Sequence, residues 1–559
     1  MTAGTLYAGD PPRTGPDAFV VEGGKIAWFG SARGVPRSVP RERLDLGHAV
    51  VIPGFVDCHF HMLALLPTAG WADLRSARSV EDARRLLADL APRVPEGRWL
   101  VGWGFDTANT GGRRLLRGDL DALSPDRPAL VVEVTLHQGT INSAALASLG
   151  WGRTTPRWPG GELVRDRRGE PNGVVWERAF GVPMLKAVEA EMDAAPQLVS
   201  SRLAVLAAGL LSQGVTHVGE AFTPPRLADA FETTPLPMGL TMLLTSGRGL
   251  ASSPWDVLEG RRTGDGDAHL GVGPIKLIAD GAERGAMCLT APQALRTTGA
   301  ALWRALRSSD AGAFRFLAGS HTRVEDGKFR TGTLHYSRSG MAEITAAALD
   351  KGYRVAIHSL GNDAIDMALA AFEHGRRSTG QDVSGCRIEH FMLARPSDFD
   401  RAARLGLILS MQPGHFVHYA PTLRATAVDR LFEPVALRTA IEAGCNVAIS
   451  TDGPTIPSAP LDSLRAAVDR IGIDGRPVAP GQAIGRTEAL RAATMGGAAA
   501  CAVDEVKGSI AVGKQADFAV LSGDPFDPAT TVRETWVAGN RVWPADQATA
   551  TSEQSESLG

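Results

Sequence analysis

The sequence predicts a (β/α)8 barrel with additional β structure at both ends of the chain. The middle of this 559-residue chain contains eight apolar runs of strand length. Stretches with helical spacing separate most of them, and such alternation is typical of parallel strands joined by crossover helices. Eight repeats indicate a closed barrel. The runs cover residues 50–59, 215–220, 238–245, 275–280, 354–358, 387–390, 407–412 and 446–452.

Both ends of the chain have a β-like texture. Residues 18–30 read as a hairpin whose turn is the pair Gly23-Gly24, and residues 508–543 contain short β-like runs punctuated by Gly and Asp. These ends could form two small domains or one sheet domain built from both termini. The last residues, ending in Ser-Glu-Gln-Ser-Glu-Ser-Leu-Gly, have the composition of a disordered tail.

Two connections are too long for simple crossovers. They cover about residues 63–196 and 282–340. Long segments after a barrel strand are where such enzymes keep lids and substrate-binding elements. The first is long enough to be a subdomain.

Composition excludes several functional classes. Hydrophobic residues make up 44% of the chain and the net charge is −3, so nothing indicates a nucleic-acid or membrane partner. The segment from Met1 to Tyr7 lacks the basic and apolar regions of a secretory signal, and residues 203–211 are too short to span a bilayer. The five cysteines lack zinc-type pairing, as expected for reduced thiols. We therefore expect a cytoplasmic protein with a small-molecule substrate, and leave a homodimer open.

The strongest local motif is Pro53-Gly-Phe-Val-Asp-Cys-His59-Phe-His61. Residues two apart on a strand project from the same face, so both imidazoles can grip one metal ion. Taken alone, His-x-His also occurs by chance. Cys58 points to the opposite face of the strand and is excluded as a ligand.

Other candidate ligands stand at the ends of other runs. His358, His390 and Asp452 each end a run, and Lys276 lies inside a very apolar one. Catalytic groups of a (β/α)8 barrel lie at the carboxyl ends of its strands. Four histidines, an aspartate and a lysine at five strand ends are hard to explain by packing, and they predict a shared metal site.

The ordered motifs resemble the amidohydrolase superfamily, in particular its amidohydrolase-3 branch of YtcJ-like and N-substituted formamide deformylase-like proteins. The resemblance runs from about Gly23 to Trp543. Besides the opening motif, the matching stretches are Asp119-Leu-Asp-Ala-Leu-Ser-Pro, Asn142-Ser-Ala-Ala-Leu, Gly173-Val-Val-Trp-Glu-Arg-Ala, Ile357-His-Ser-Leu-Gly, Arg387-Ile-Glu-His and Gly508-Ser-Ile-Ala-Val-Gly-Lys-Gln-Ala-Asp.

This resemblance implies a domain organisation. Residues 1–50 and 504–545 would combine in a β-sandwich beside a hydrolase barrel at 51–503, with an insertion subdomain at 63–196 and a disordered tail at 546–559. It also implies one to two divalent ions, zinc by expectation, and a Lys276 that is carboxylated on its amine and bridges two metals when both are present. The alternatives are an unmodified lysine that is neutralised by burial or one that is paired with Asp280.

Other positions are weaker candidates. His137, Gln412 and Glu177 are candidates for contact with substrate. The first two could equally be satisfied core groups, and Glu177 could equally be a helix cap or a salt-bridge partner. His415 and His418 could simply be solvated beside a loop. Two stretches depart from the family pattern. The family's Asp-Gly-His is Thr135-Leu-His here, and Ala282-Glu-Arg-Gly-Ala replaces the family's usual sequence after Asp280-Gly281, at the end of the fourth run. Both departures suggest a changed substrate pocket.

The expected function is hydrolysis of a C–N bond in a small N-acyl or N-formyl compound. A metal-activated hydroxide would attack the carbonyl, and Asp452 would carry the proton to the leaving nitrogen. The alternative enzyme is a mononuclear deaminase or cyclic-amide hydrolase with the same ligands. A non-catalytic binding protein is disfavoured because every candidate ligand is present.

Overall fold

A computed structural model describes most of the chain. The described residues are 1–36, 42–66, 70–107, 109–134, 136–155, 158, 160–246, 254–281, 285–308, 322–456 and 459–544. The expected disordered tail at 546–559, Thr135 and the Ala282-Glu-Arg segment lie outside them.

Eight parallel strands form the centre of the fold, and we label them β1 to β8 in chain order. Each pairs with its sequence neighbour, so the predicted barrel is confirmed. Next to the ends of β8 and β1, the Asp452 amide donates to the His59 carbonyl at 2.9 Å. The sheet is thus a nearly closed barrel. The strands are Phe55–Phe60, Val215–Thr223, Gly239–Leu244, Leu270–Ile278, Val355–Ser359, Arg387–His390, Ile408–Met411 and Asn446–Ile449.

The connections between these strands are helical. The helix Pro196–Leu211 precedes β2, and Asn362–Thr379 lies between β5 and β6, each burying a line of apolar residues. The α-helices are Met62–Leu65, Val80–Leu90, Arg117–Asp121, Ser143–Ser148, Arg178–Ala194, Pro196–Leu211, Pro225–Thr233, Ala291–Ser308, Arg338–Asp350, Asn362–Thr379, Pro396–Leu405, Pro413–Ala425, Leu437–Glu442, Pro460–Asp469, Arg486–Arg491 and Gly497–Ala500.

Strands from both termini share one sheet. Its five strands, in spatial order, are Thr5–Leu6, Val50–Pro53, Phe518–Leu521, Val532–Val537 and Asn540–Trp543. The predicted hairpin, Ala18–Glu22 with Lys25–Gly30, forms a second, two-stranded sheet. Phe19 packs edge-on against Phe518 at 5.1 Å between ring centres, so the two chain ends share one small core.

The run predicted at residues 50–59 is two strands rather than one. Val50–Pro53 joins the terminal sheet, whereas Phe55–Phe60 is barrel strand β1. The chain passes between them at Gly54, where a Cβ atom would come within 2.3 Å of the Thr216 side chain. An apolar run does not mark the point at which a chain changes sheets.

The long connection after β1 contains a separate sheet. Its strands, in spatial order, are Gly161–Arg165, Pro171–Glu177, Gln138–Ile141, Ala129–Glu133, Leu100–Phe105 and Ala72–Asp73. The helix Val80–Leu90 packs on it through Ala83 and Leu87 within a core distinct from that of the barrel. The connection after β4 adds a smaller sheet of Met287–Leu289, Lys328–Thr331 and Arg323–Glu325.

Among the described helices, no single one has both the length and the apolar character needed to cross a membrane. Arg178–Ala194 and Pro196–Leu211 pass that test only as a pair, and the pair is bent by 111°.

Candidate metal centre

The predicted ligands meet at the carboxyl-terminal end of the barrel. His59 lies near the end of β1, and His61 immediately follows that strand. His390 and Asp452 adopt positive φ angles of 72° and 56°, a backbone conformation that non-glycine residues adopt mainly at functional or strained sites. At both positions the chain leaves the extended conformation of the strand.

Asp452 connects two groups of histidines. Its Oδ1 lies 3.1 Å from His61 Nε2 and 3.5 Å from His59 Nε2, and its Oδ2 lies 2.9 Å from His415 Nε2. These side chains form two sets, and within each set the potential ligand atoms lie within 4.8 Å of one another. The sets are His59, His61 and Asp452, and His390, His415 and Asp452. Asp452 belongs to both sets, which is the arrangement expected of a carboxylate between two ions.

The remaining predicted ligands adjoin these sets. Lys276 Nζ lies 3.3 Å from His59 Nε2. The His358 ring centre is 4.4 Å from that of His390, which is in turn 4.9 Å from that of His59. All six predicted ligands therefore lie in one cluster.

Burial keeps these imidazoles neutral. It lowers the pKa of His59 to about 4 and holds the pKa values of His358 and His390 well below the usual range. Neutral imidazole is the form that binds metals. Burial would raise the pKa of Asp452, but the hydrogen bond from His415 and the nearby histidines outweigh it and hold that pKa well below its usual range.

Lys276 is fully enclosed near the end of β4. Burial lowers the pKa of its amine to about 8, despite the nearby carboxylates Glu389 and Asp452. A lysine in this state is partly neutral at mildly alkaline pH and can act as a nucleophile.

A buried ion pair supports His59 from behind. Glu389 Oε2 lies 2.5 Å from His59 Nδ1 and accepts a hydrogen bond from Arg387 Nη2 at 3.0 Å. Arg387 Nε and Glu389 Oε1, 2.8 Å apart, complete the ion pair. Arg387 also donates to the carbonyl of Cys58 at 2.9 Å. Because Nδ1 is occupied by Glu389, Nε2 of His59 is the nitrogen directed at the cluster.

The three weaker candidates have different locations. Gln412 is fully buried and its Oε1 lies 2.8 Å from His390 Nδ1, so it contacts a predicted ligand from behind. His137 lies at the other end of the cluster, with its ring centre 5.9 Å from that of His358. Its Nδ1 lies 2.7 Å from the buried Glu177 carboxylate. Glu177 occupies the N-cap position of the helix Arg178–Ala194, but its side chain makes no capping hydrogen bond. Their roles toward substrate stay predictions.

The cluster fits a divalent cation. Asp452 Oδ1 and His358 Nε2 are buried atoms without a hydrogen-bond partner among the described residues. Burying unpaired polar atoms is costly unless a ligand satisfies them. Imidazole nitrogen with carboxylate oxygen is the donor set of zinc and similar ions.

Comparison with known proteins agrees with this geometry. A model of the amidohydrolase family matches residues 42–543. The chain belongs to the amidohydrolase family. Membership in this family makes it a metal-dependent hydrolase that acts on carbon–nitrogen bonds.

Its relatives are similar over nearly their whole length. N-substituted formamide deformylase from Arthrobacter pascens is 28% identical, covering 92% of this chain and 91% of that one. Putative amidohydrolase YtcJ from Bacillus subtilis (strain 168) is 27% identical over 94% of this chain and 96% of its own. An uncharacterized metal-dependent hydrolase from Pyrococcus horikoshii OT3 has the same fold, with a TM-score of 0.66, 23% identity and coverage of 94% of this chain and 97% of that one.

Sequence reasoning missed three residues around the cluster. His415 is buried on the helix Pro413–Ala425 and bonded to Asp452, so the expectation that it is solvated beside a loop is wrong. Glu389 adjoins His390 in Arg387-Ile-Glu-His390, but nothing in that motif indicates its contact with His59. His335, which lies 3.6 Å from Glu177, comes from the second long connection, and no local motif marks it.

Proposed function

We propose that this enzyme hydrolyses the C–N bond of a small N-acyl or N-formyl compound. Its resemblance to N-substituted formamide deformylase along 92% of the chain supports an amide-type substrate. The position of Asp452 is the main support for a metal-dependent reaction. It contacts the first set of histidines through Oδ1 and the second set through Oδ2.

A divalent ion held by these groups, zinc by our proposal, would supply Lewis acidity at the substrate carbonyl. His59, His61, His358, His390 and Asp452 would hold one or two such ions. Lys276 would bridge a pair as a carbamate, since carboxylation replaces a buried cation with an anion.

Asp452 is the proton carrier in this proposal. Its low pKa leaves the carboxylate ionised, so it can accept the proton of the attacking water. It then delivers that proton to the leaving nitrogen as the C–N bond breaks, giving a carboxylic acid and an amine. His415 holds Oδ2 at 2.9 Å, which orients the carboxylate for this transfer.

Metal analysis combined with a substrate screen tests the proposal. We expect one to two zinc-like ions per chain and hydrolysis of at least one member of a panel of N-formyl and N-acyl amines. Replacing both His59 and His61 with Ala should remove metal and activity together, whereas His374→Ala, at an exposed helix position, should change neither. Full metal occupancy in the double variant would contradict the ligand assignment.

A parallel screen of cyclic amides and aminated heterocycles separates the alternative enzyme. A mononuclear deaminase or cyclic-amide hydrolase would leave Lys276 unmodified and turn over these compounds instead of the N-formyl and N-acyl amines.

A further inference from the structure

The barrel has a seam between its first and last strands. Among the described residues, β8 and β1 share no ladder of hydrogen bonds, whereas the other neighbouring pairs of barrel strands do. Two backbone bonds cross the seam at its carboxyl-terminal end. The Asp452 amide donates to the His59 carbonyl at 2.9 Å, and the His61 amide donates to the Gly453 carbonyl at 2.8 Å. Three of the candidate ligands therefore meet at this irregular seam.

These two bonds are out of step by one residue. In a regular parallel ladder, the residue that donates to one position of the neighbouring strand also accepts from the position two further along. Here Asp452 donates to His59, but the residue that accepts from His61 is Gly453. The chain leaving β8 thus has one extra residue at Asp452, whose φ of 56° fits such an irregularity. Extra residues of this kind re-aim side chains at barrel rims and beside active sites.

The Thr451 side chain spans this extra residue. Its Oγ1 accepts a hydrogen bond from the Gly453 amide at 3.1 Å, so the hydroxyl closes a short loop of chain around Asp452. Serine and threonine hydroxyls stabilise turns in this way. Thr451 is buried, so this hydrogen bond does not compete with bulk water.

Asp57 holds Thr451 from across the seam. Its Oδ1 accepts from the Thr451 amide at 3.1 Å, and its Oδ2 accepts from the Thr451 hydroxyl at 2.5 Å. Because the hydroxyl proton is directed at Asp57, the lone pairs of that oxygen are left for the Gly453 amide. Asp57 is buried and lies two residues before His59 on β1. Both oxygens of one buried carboxylate thus bind a single residue of the chain leaving β8.

Two glycines of a helical segment near the C-terminus pack on both strands of the seam. A Cβ atom at Gly496 would come within 2.2 Å of the Val447 carbonyl oxygen on β8. A Cβ atom at Gly497 would come within 2.0 Å of the Val56 carbonyl oxygen on β1. This close packing keeps the two strands together. The hydrogen bonds between Asp57 and the residue before Asp452 then set how the chain leaving β8 is aligned with β1.

We propose that Asp57 is a positioning residue of the metal centre, which acts through Thr451 to aim the Asp452 carboxylate. The carboxylate aimed in this way has its Oδ1 3.1 Å from His61 Nε2 and 3.5 Å from His59 Nε2. This inference rests on the proposed metal centre, in which Asp452 is a ligand. Loss of the contact between Asp57 and Thr451 should therefore weaken metal binding in protein that remains folded.

Thr451→Val tests this inference, with Thr535→Val as a matched control. Each change removes a buried hydroxyl that donates at short range, from Thr451 to Asp57 at 2.5 Å and from Thr535, in the terminal sheet, to the Leu211 carbonyl at 2.6 Å. Zinc titration of metal-free protein, followed by calorimetry, should show an affinity lowered by roughly 10- to 100-fold in Thr451→Val, the usual effect of losing a group that supports a ligand. Thr535→Val should leave the zinc affinity unchanged. Thr451→Ser, which keeps the hydroxyl, should retain most of it.

Variants of Asp57 separate its hydrogen bonds from its charge. Asp57→Ala removes both acceptors and should lower zinc affinity at least as much as Thr451→Val. Asp57→Asn keeps an oxygen that can accept from the Thr451 amide and gains an NH2 group that can donate to the Thr451 hydroxyl oxygen. Its zinc affinity should therefore lie closer to the wild-type value than to that of Asp57→Ala. If Asp57→Asn were as damaging as Asp57→Ala, Asp57 would act through its charge on the bound ions, and the positioning role would be wrong.

The double variant Asp57→Ala/Thr451→Val measures the coupling between the two side chains. Because they act through one contact, its zinc affinity should equal that of the weaker-binding single variant, whereas additive losses would show that Asp57 acts independently of Thr451. A merely structural contact would lower the Tm of the metal-free variants, as in Thr535→Val, and leave the zinc affinity of the folded protein at the wild-type value. That result would overturn the inference. Wild-type protein that binds no zinc would instead refute the proposed metal centre itself.

Discussion

Glu389 lies 2.5 Å from Nδ1 of His59, and both side chains are fully enclosed beneath the metal centre. Arg387, on the same strand as Glu389, donates to that carboxylate and to the Cys58 carbonyl. His59 is thereby fixed in one orientation before any ion binds. This arrangement resembles the carboxylate–histidine pairs that support ligands in metalloproteins.

Glu389→Gln should weaken metal binding by roughly 10- to 100-fold, because the amide holds the His59 ring less strongly and does not balance Arg387. Titration of metal-free protein with zinc, followed by calorimetry, measures the change. Glu343→Gln, at an exposed helix position, is the control. Unchanged zinc affinity would show that Glu389 does not support the ligand.

Replacement of Lys276 tests the bridging carbamate. Lys276→Ala should lose the metal pair, and short carboxylic acids should partly restore activity by filling the vacated space. Lys276→Arg should not be rescued, since a guanidinium stays cationic and forms no carbamate. A carbamate carbon signal should appear in wild-type protein prepared with 13C-bicarbonate and be missing from both variants. If wild-type protein binding two ions gave no such signal, the bridge would be refuted.

The sequence predicted strands and candidate ligands correctly in position where a short local motif combines an apolar run with a polar residue at its end. Apolar runs ending in His358, His390 and Asp452 located barrel strands and brought the candidate ligands together, because functional groups in this fold lie at the carboxyl ends of the strands. Glu389 and His415 act through contacts with residues distant in the chain, at separations of 330 and 37 positions. The spacing of residues along the chain does not indicate such long-range contacts, so only the folded structure shows them.

Asp452→Asn should lower turnover by roughly 10²- to 10⁴-fold, because the amide cannot carry the proton. Metal content should fall less than activity, since the amide oxygen can still act as a weak ligand. Kinetic measurement alongside metal analysis separates the two effects, with Asp89→Asn as the exposed control. Near-normal turnover would rule out Asp452 as the proton carrier.

Metal removal should destabilise the protein as well as inactivate it. Without an ion, Asp452 Oδ1 and His358 Nε2 would stay buried with no hydrogen-bond partner among the described residues. A ligand present at 1,000 times its Kd stabilises the folded state by about 4.1 kcal/mol. Calorimetry should therefore show a lower Tm after chelation and recovery on adding zinc. The variant lacking both His59 and His61 should show neither shift, and a Tm unaffected by chelation in wild-type protein would argue against tight binding.

Lys507 and Asp517 form a buried ion pair where the C-terminal segment meets the terminal sheet, with Nζ and Oδ2 2.7 Å apart and both side chains 2% exposed. Lys507→Met should destabilise the protein by about 3–5 kcal/mol, because it leaves the Asp517 carboxylate buried without its cation. Lys186→Met breaks a pair of similar length, 2.8 Å, on an exposed helix face and should cost at most about 1 kcal/mol. Denaturant unfolding of both variants makes the comparison. Equal, small losses would mean that solvent reaches the Asp517 carboxylate and that the terminal sheet is packed less tightly than the structure shows.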